Sequence, residues 1–189
     1  MGFSALKAWF VQRMPNSQQL AAVYGVIVLV VYGWTIYWYL WTLPSWLYFL
    51  TLGEIIVTFA YAIATNFLES ILILFIPVFL SLLLPARFFR DRFVAHGASL
   101  SLFVLIGLMQ YLGVIVSGKE VPFGIGRMTL LVIAGILLLT FIVGRIGFLR
   151  KVFEEISSRA AIFVYIFLPI SAISILLVLI RNLIEAFHG

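Results

Sequence analysis

Two carboxylates and one guanidinium, Glu54, Glu69 and Arg145, stand inside or beside long apolar runs. Glu54 lies among Leu50, Leu52, Ile55 and Ile56, well inside a span expected to begin at Trp46. An ionisable group at such depth is costly unless paired or protonated, which makes it a functional candidate by default. A carboxyl there would suit proton coupling or a cation site. One that keeps its proton or accepts a hydrogen bond would instead hold helices together.

Glu69 follows Asn66 by three residues, the spacing of a capping box, which would set it near the membrane interface. If residues 46–85 instead form one unbroken element, Glu54 and Glu69 lie about four turns apart on broadly one face. A two-carboxylate line through the membrane would result. Arg145, after Gly144, can snorkel to the head groups or pair with Glu54.

The remaining chemistry is sparse. His96 opens a span behind a basic loop and His188 is next to last, each without an acid or second histidine to complete a metal site. The chain has no cysteine, so disulfides, thiolate metal sites and thiol nucleophiles are excluded. Metalloprotease, nucleophile-elbow and phosphate-loop motifs are missing, and Gly124-Ile125-Gly126 lacks the third glycine of a dinucleotide fingerprint. The sequence implies no enzyme and no cofactor.

The elements that must hold these residues are membrane spans. Of 189 residues 65% are hydrophobic and 10% charged, against about 45–50% and 25% in a soluble domain. No soluble core of this size hides so much apolar surface, so the bilayer is the expected partner. The net charge of +5 comes from residues set between apolar runs, where they orient spans and meet anionic head groups. Nucleic acid is not an expected partner.

The expected architecture is all-α, a polytopic bundle of six hydrophobic helices forming a single membrane domain. The spans are about 20–42, 46–65, 67–85, 97–117, 128–148 and 160–180. An amphipathic helix over 2–14 precedes them in the interface, ended by Pro15. Asn16 with Gln19 resembles a capping box opening the first span. Leu43-Pro44-Ser45 reads as a turn. The break at Asn66 is inferred because forty apolar residues would make a helix of about 60 Å, twice the hydrocarbon thickness.

Tyr32, Trp34, Tyr37, Trp38, Tyr39, Trp41, Trp46 and Tyr48 suit one head-group boundary. Arg150–Glu154 and Lys151–Glu155 are spaced as pairs on an interfacial helix with Phe148, Val152, Phe153 and Ile156 toward lipid. Gly25, Gly97, Gly107, Gly113, Gly135 and Gly144 suit close helix packing. Pro77 and Pro169 read as kinks.

Charge and length disagree about the crossing number. The segments 87–92 and 145–159 hold seven of the 12 basic residues, so both should be cytoplasmic. Six spans would strand Lys7 and Arg13 outside. Five crossings, with a re-entrant piece in 46–85, would leave only Lys119, Arg127 and Arg181 outside.

The stretches Leu43–Glu54, Thr65–Ser70 and Arg87–Gly97 are similar to uncharacterised multi-span membrane proteins of Chloroflexi-type bacteria. That resemblance implies a bacterial cytoplasmic membrane and carries no activity. Three functions therefore stand as expectations. The first is a non-enzymatic component that packs with itself, as a homo-oligomer, or with a membrane protein partner. The second is a small transporter or ion-coupled channel using Glu54, and the third a lipid-modifying enzyme.

Overall fold

The structure, a computed structural model, describes residues 14–84, 89–116 and 125–188. The interfacial helix expected over 2–14 therefore falls outside the described residues apart from Met14. Five α-helices occur among those residues: α1 (Ser17–Trp46), α2 (Leu52–Leu83), α3 (Phe93–Val116), α4 (Ile125–Arg145) and α5 (Gly147–His188). A 3-10 turn, Arg90–Arg92, leads into α3. Four of the helices are long and apolar enough to cross a membrane; in α4 the apolar stretch is shorter, Thr129–Arg145.

The all-α membrane bundle holds, and the count of six helices does not. The predicted spans 46–65 and 67–85 are one helix of 32 residues, α2. Asn66 does not cap anything. It lies buried in mid-helix, where its Oδ1 accepts a hydrogen bond from Thr35 Oγ1 at 3.0 Å. No re-entrant piece appears within 52–83, which is helical throughout.

The cap at Asn16 forms as expected, with Asn16 Oδ1 accepting from Gln19 N at 2.7 Å and Gln19 Oε1 accepting from Asn16 N at 3.1 Å. The turn expected at Pro44 sits further on, because α1 runs through Pro44 to Trp46 and the chain reverses over 47–50. Thr51 caps the next helix. The basic interfacial helix expected at 148–156 is the first part of α5, a single helix of 42 residues.

Contacts between the helices give their directions. Tyr39 OH donates to the Ile55 carbonyl at one end of α1, and Tyr24 OH meets Ser70 Oγ nearer the other, so α1 and α2 are antiparallel. Gly25 abuts Ala160 and Tyr32 meets Ser171, so α5 runs parallel to α1. Gly97 faces Val23 on α1 and Pro77 on α2. Gly144 meets His96 while Gly107 faces Ile136, which sets α4 antiparallel to α3. The helices alternate down, up, down and up after α1, so Asn16, Arg92, Arg145 and Arg159 gather at a basic end. The reversal at 47–50 and the C-terminal turns of α5 share the aromatic end.

The core centres on α1, whose Val23, Ile27, Val28, Val31 and Tyr32 pack with Ile63, Phe93 and Leu100. A Cβ at Gly25 would come within 2.6 Å of the Ala160 backbone, so α1 and α5 touch main chain to main chain there. Gly97 has a similar role, with Val23 at 3.0 Å from a built Cβ. Gly113 and Gly135 face open space and contribute no close packing. The outer surface is mostly apolar, with Leu72 69%, Leu131 71% and Phe187 82% exposed. Water would not solvate so much exposed apolar side chain, and lipid does.

Candidate functional site

Glu54 does not sit among buried apolar side chains. It is the third residue of α2, exposed, and closes a capping box with Thr51. Its Oε2 accepts from Thr51 N and from Thr51 Oγ1, both at 2.8 Å, while Glu54 N donates to Thr51 Oγ1 at 3.4 Å. The carboxylate satisfies orphan amide groups at the helix start and favours the positive end of the helix dipole. Thr51-Leu52-Gly53-Glu54 carries the T-x-x-E signature in the sequence itself, a signal that the expected turn at Pro44 displaced.

Around it lies a polar cluster the sequence reading passed over. Arg181 pairs with Glu185 at 2.8 Å and lies over the Tyr61 ring at 5.9 Å. Tyr61 OH donates to Asn182 Oδ1 at 2.6 Å, joining α2 to α5. The i,i+4 spacing of Arg181 and Glu185 was the readable signal. This is an interfacial rim that holds two helix ends together.

Arg145 is at the opposite, basic end and so cannot pair with Glu54. Its guanidinium lies 5.0 Å from the Phe141 ring centroid, exposed at the end of α4. The cation that serves this helix end is Arg92, whose Nη1 donates to the Gly144 carbonyl at 2.5 Å. That carbonyl belongs to the last turn of α4, where it lacks a helical partner. His96 is buried beside it, stacked on Phe89 at 5.4 Å, and any side chain at Gly144 would run into its imidazole. His96 is thus a packing residue. The pair Arg150–Glu154 forms at 3.7 Å, but Glu155 joins Arg159 at 2.7 Å instead of Lys151. Among the described residues no group of His, Asp and Glu is placed to hold a metal ion.

The interior polar groups form a ladder along α1. Tyr24, Tyr32, Thr35 and Tyr39 each bond a neighbouring helix. Ser70 and Ser171 give their own protons to Phe67 and Phe167 carbonyls, so the two tyrosines donate to them. Such bonds hold helices together within lipid.

Two of the described acids, Glu69 and Asp91, are exposed and outside both the ion pairs and the helix cap, and of the two only Glu69 stands within a span. It is exposed on the outer face of α2 and meets no hydrogen-bonding or ionic partner among the described residues. Its depth follows from α5, whose uncharged run 160–180 between Arg159 and Arg181 spans about 31 Å, one hydrocarbon thickness. Asn182, just past that run, bonds Tyr61. Glu69 lies eight residues further along α2, about 12 Å below that edge and close to the midplane. With α2 unbroken, Glu54 and Glu69 do share a face, about 22 Å apart along the axis. Thr58, Tyr61 and Thr65 lie between them on that face.

No protein-family model matches the chain, and neither does any curated protein or solved structure.

Proposed function

We propose that the protein is a non-enzymatic, multi-pass component of a bacterial cytoplasmic membrane that binds another membrane-spanning helix through the outer face of α2. The observation that carries this reading is Glu69, an acid near mid-bilayer on the lipid side of the bundle. Ionisable residues within spans face a bundle interior or pair with one another. A carboxyl left facing lipid calls for a helix to cover it. Glu54 supports a structural role instead, because its Oε2 accepts both hydrogen bonds that Thr51 donates in the cap. With that residue at the start of α2, the transporter reading loses the buried carboxyl that motivated it and keeps only the prolines Pro77 and Pro169.

The test is a photo-reactive residue in place of Leu72, one turn from Glu69, with Ile133 on α4 as the control site. A discrete cross-linked protein from position 72 that vanishes with Glu69→Leu is the expected result. Adducts that ignore Glu69 would defeat the reading. So would proton flux in liposomes that Glu54→Gln abolishes while the fold is kept.

A further inference from the structure

We infer that the helix received at Glu69 carries a lysine or arginine at its own mid-depth, and that it belongs to another protein. This rests on the partner-binding reading above and names the chemistry of the partner. A single carboxylate near the midplane costs several kcal/mol when left in hydrocarbon. It becomes tolerable when a cation approaches closely and the remaining lone pairs are satisfied. Among the described residues no side chain does that.

A second copy cannot supply the cation. Segments 17–44, 52–83, 93–116, 128–144 and 160–180 contain none of the chain's 12 Lys and Arg. The described Arg92, Arg145, Arg150, Lys151, Arg159 and Arg181 sit toward one membrane edge or the other, roughly 12 Å or more from the level of Glu69. A symmetric dimer through α2 would bring carboxylate to carboxylate. A cation at that depth therefore comes from a different chain.

The face is shaped for a helix. Thr65, Leu68, Leu72, Phe75 and Phe79 are all exposed and follow one another at spacings of three and four. This alternation is the seam of left-handed helix packing, with a crossing near +20°. Glu69 flanks the seam beside Thr65 and Leu72, one turn to either side. The acid thus sets register while the leucines and phenylalanines supply packing.

The experiment uses the full chain in phosphatidylcholine–phosphatidylglycerol vesicles. A fluorophore at Tyr48→Cys, in the reversal after α1 and 84% exposed, labels a protein with no other thiol. The probe is a labelled Leu/Ala transmembrane peptide with one central lysine. Control peptides carry leucine at the centre or the lysine at one end. Energy transfer should report binding of the central-lysine peptide at least about tenfold tighter than either control. Glu69→Gln, the same shape without charge, should erase that preference, and Glu69→Lys should transfer it to a central-glutamate peptide.

Equal binding of all three peptides overturns the inference, as does a preference that survives Glu69→Gln. Energy transfer between two labelled copies, lost in Glu69→Leu, would assign the face to a dimer and overturn it too. Failure of the peptides together with a Glu69-dependent cross-link at position 72 would remove the cationic partner and leave partner binding standing. Loss of both would end both readings.

Discussion

The carboxylate of Glu54 makes its bonds to the backbone and hydroxyl of Thr51, so its effect should be local. Thr51→Ala should cost about 1 kcal/mol, the usual penalty for removing a cap. Glu54→Ala in that background should then add little, because the two side chains serve one motif and their losses are not additive. Glu54→Gln should keep most of the stability, since glutamine also closes a capping box. Thermal unfolding of these proteins in one detergent, with Glu54→Ala alone completing the cycle, measures all of this. A fully additive pair would mean the box does not act as a unit. The T-x-x-E pattern was legible in the sequence, whereas the exposure of Glu54 was not. Depth in a span was counted from Trp46, and moving the helix start to Leu52 brings the same residue to the membrane edge.

Element lengths were the least legible feature. Length alone argued for a break in 46–85, since 32 residues make about 48 Å of helix against a 30 Å layer. The excess is absorbed because the first turns of α2 stand beside the C-terminal turns of α5, above the apolar layer, where Tyr61 and Asn182 bond. Asn66 and Glu69 matched a cap by spacing, but Asn66 is needed inside the bundle by Thr35. A pattern of two residues cannot separate these cases without the neighbouring helix. The small residues were read more successfully, with Gly25 at the α1–α5 crossing the sharpest instance. Gly25→Ala should force two backbones apart and cost about 1–3 kcal/mol, as overpacking does. The same change at Gly135, which faces open space, should leave stability unchanged or raise it slightly. Unfolding midpoints of the two variants, compared side by side, decide whether that crossing is as close as described.

At the scale of the molecule, the five alternating helices of the described residues fit both length and charge. With the basic end cytoplasmic, Arg92, Arg145, Arg150, Lys151 and Arg159 fall on one side and Arg181 on the other. This is the distribution the positive-inside rule favours. The sixth span in the sequence reading rested on a break at Asn66, where α2 is continuous. A chain without cysteine makes the arrangement directly testable with a membrane-impermeant maleimide on intact bacterial cells and on inverted vesicles. Ser158→Cys, exposed near the basic end of α5, should react only in inverted vesicles. Leu183→Cys, 54% exposed near the other end of the same helix, should react only on intact cells. Asn66→Cys, buried at 4% exposure, should react from neither side until detergent unfolds the bundle. Labelling at 66 from outside would restore the break in α2 and the sixth span. It would also move Glu69 to the interface, removing the mid-depth charge from which partner binding is argued, so this labelling tests fold and function together.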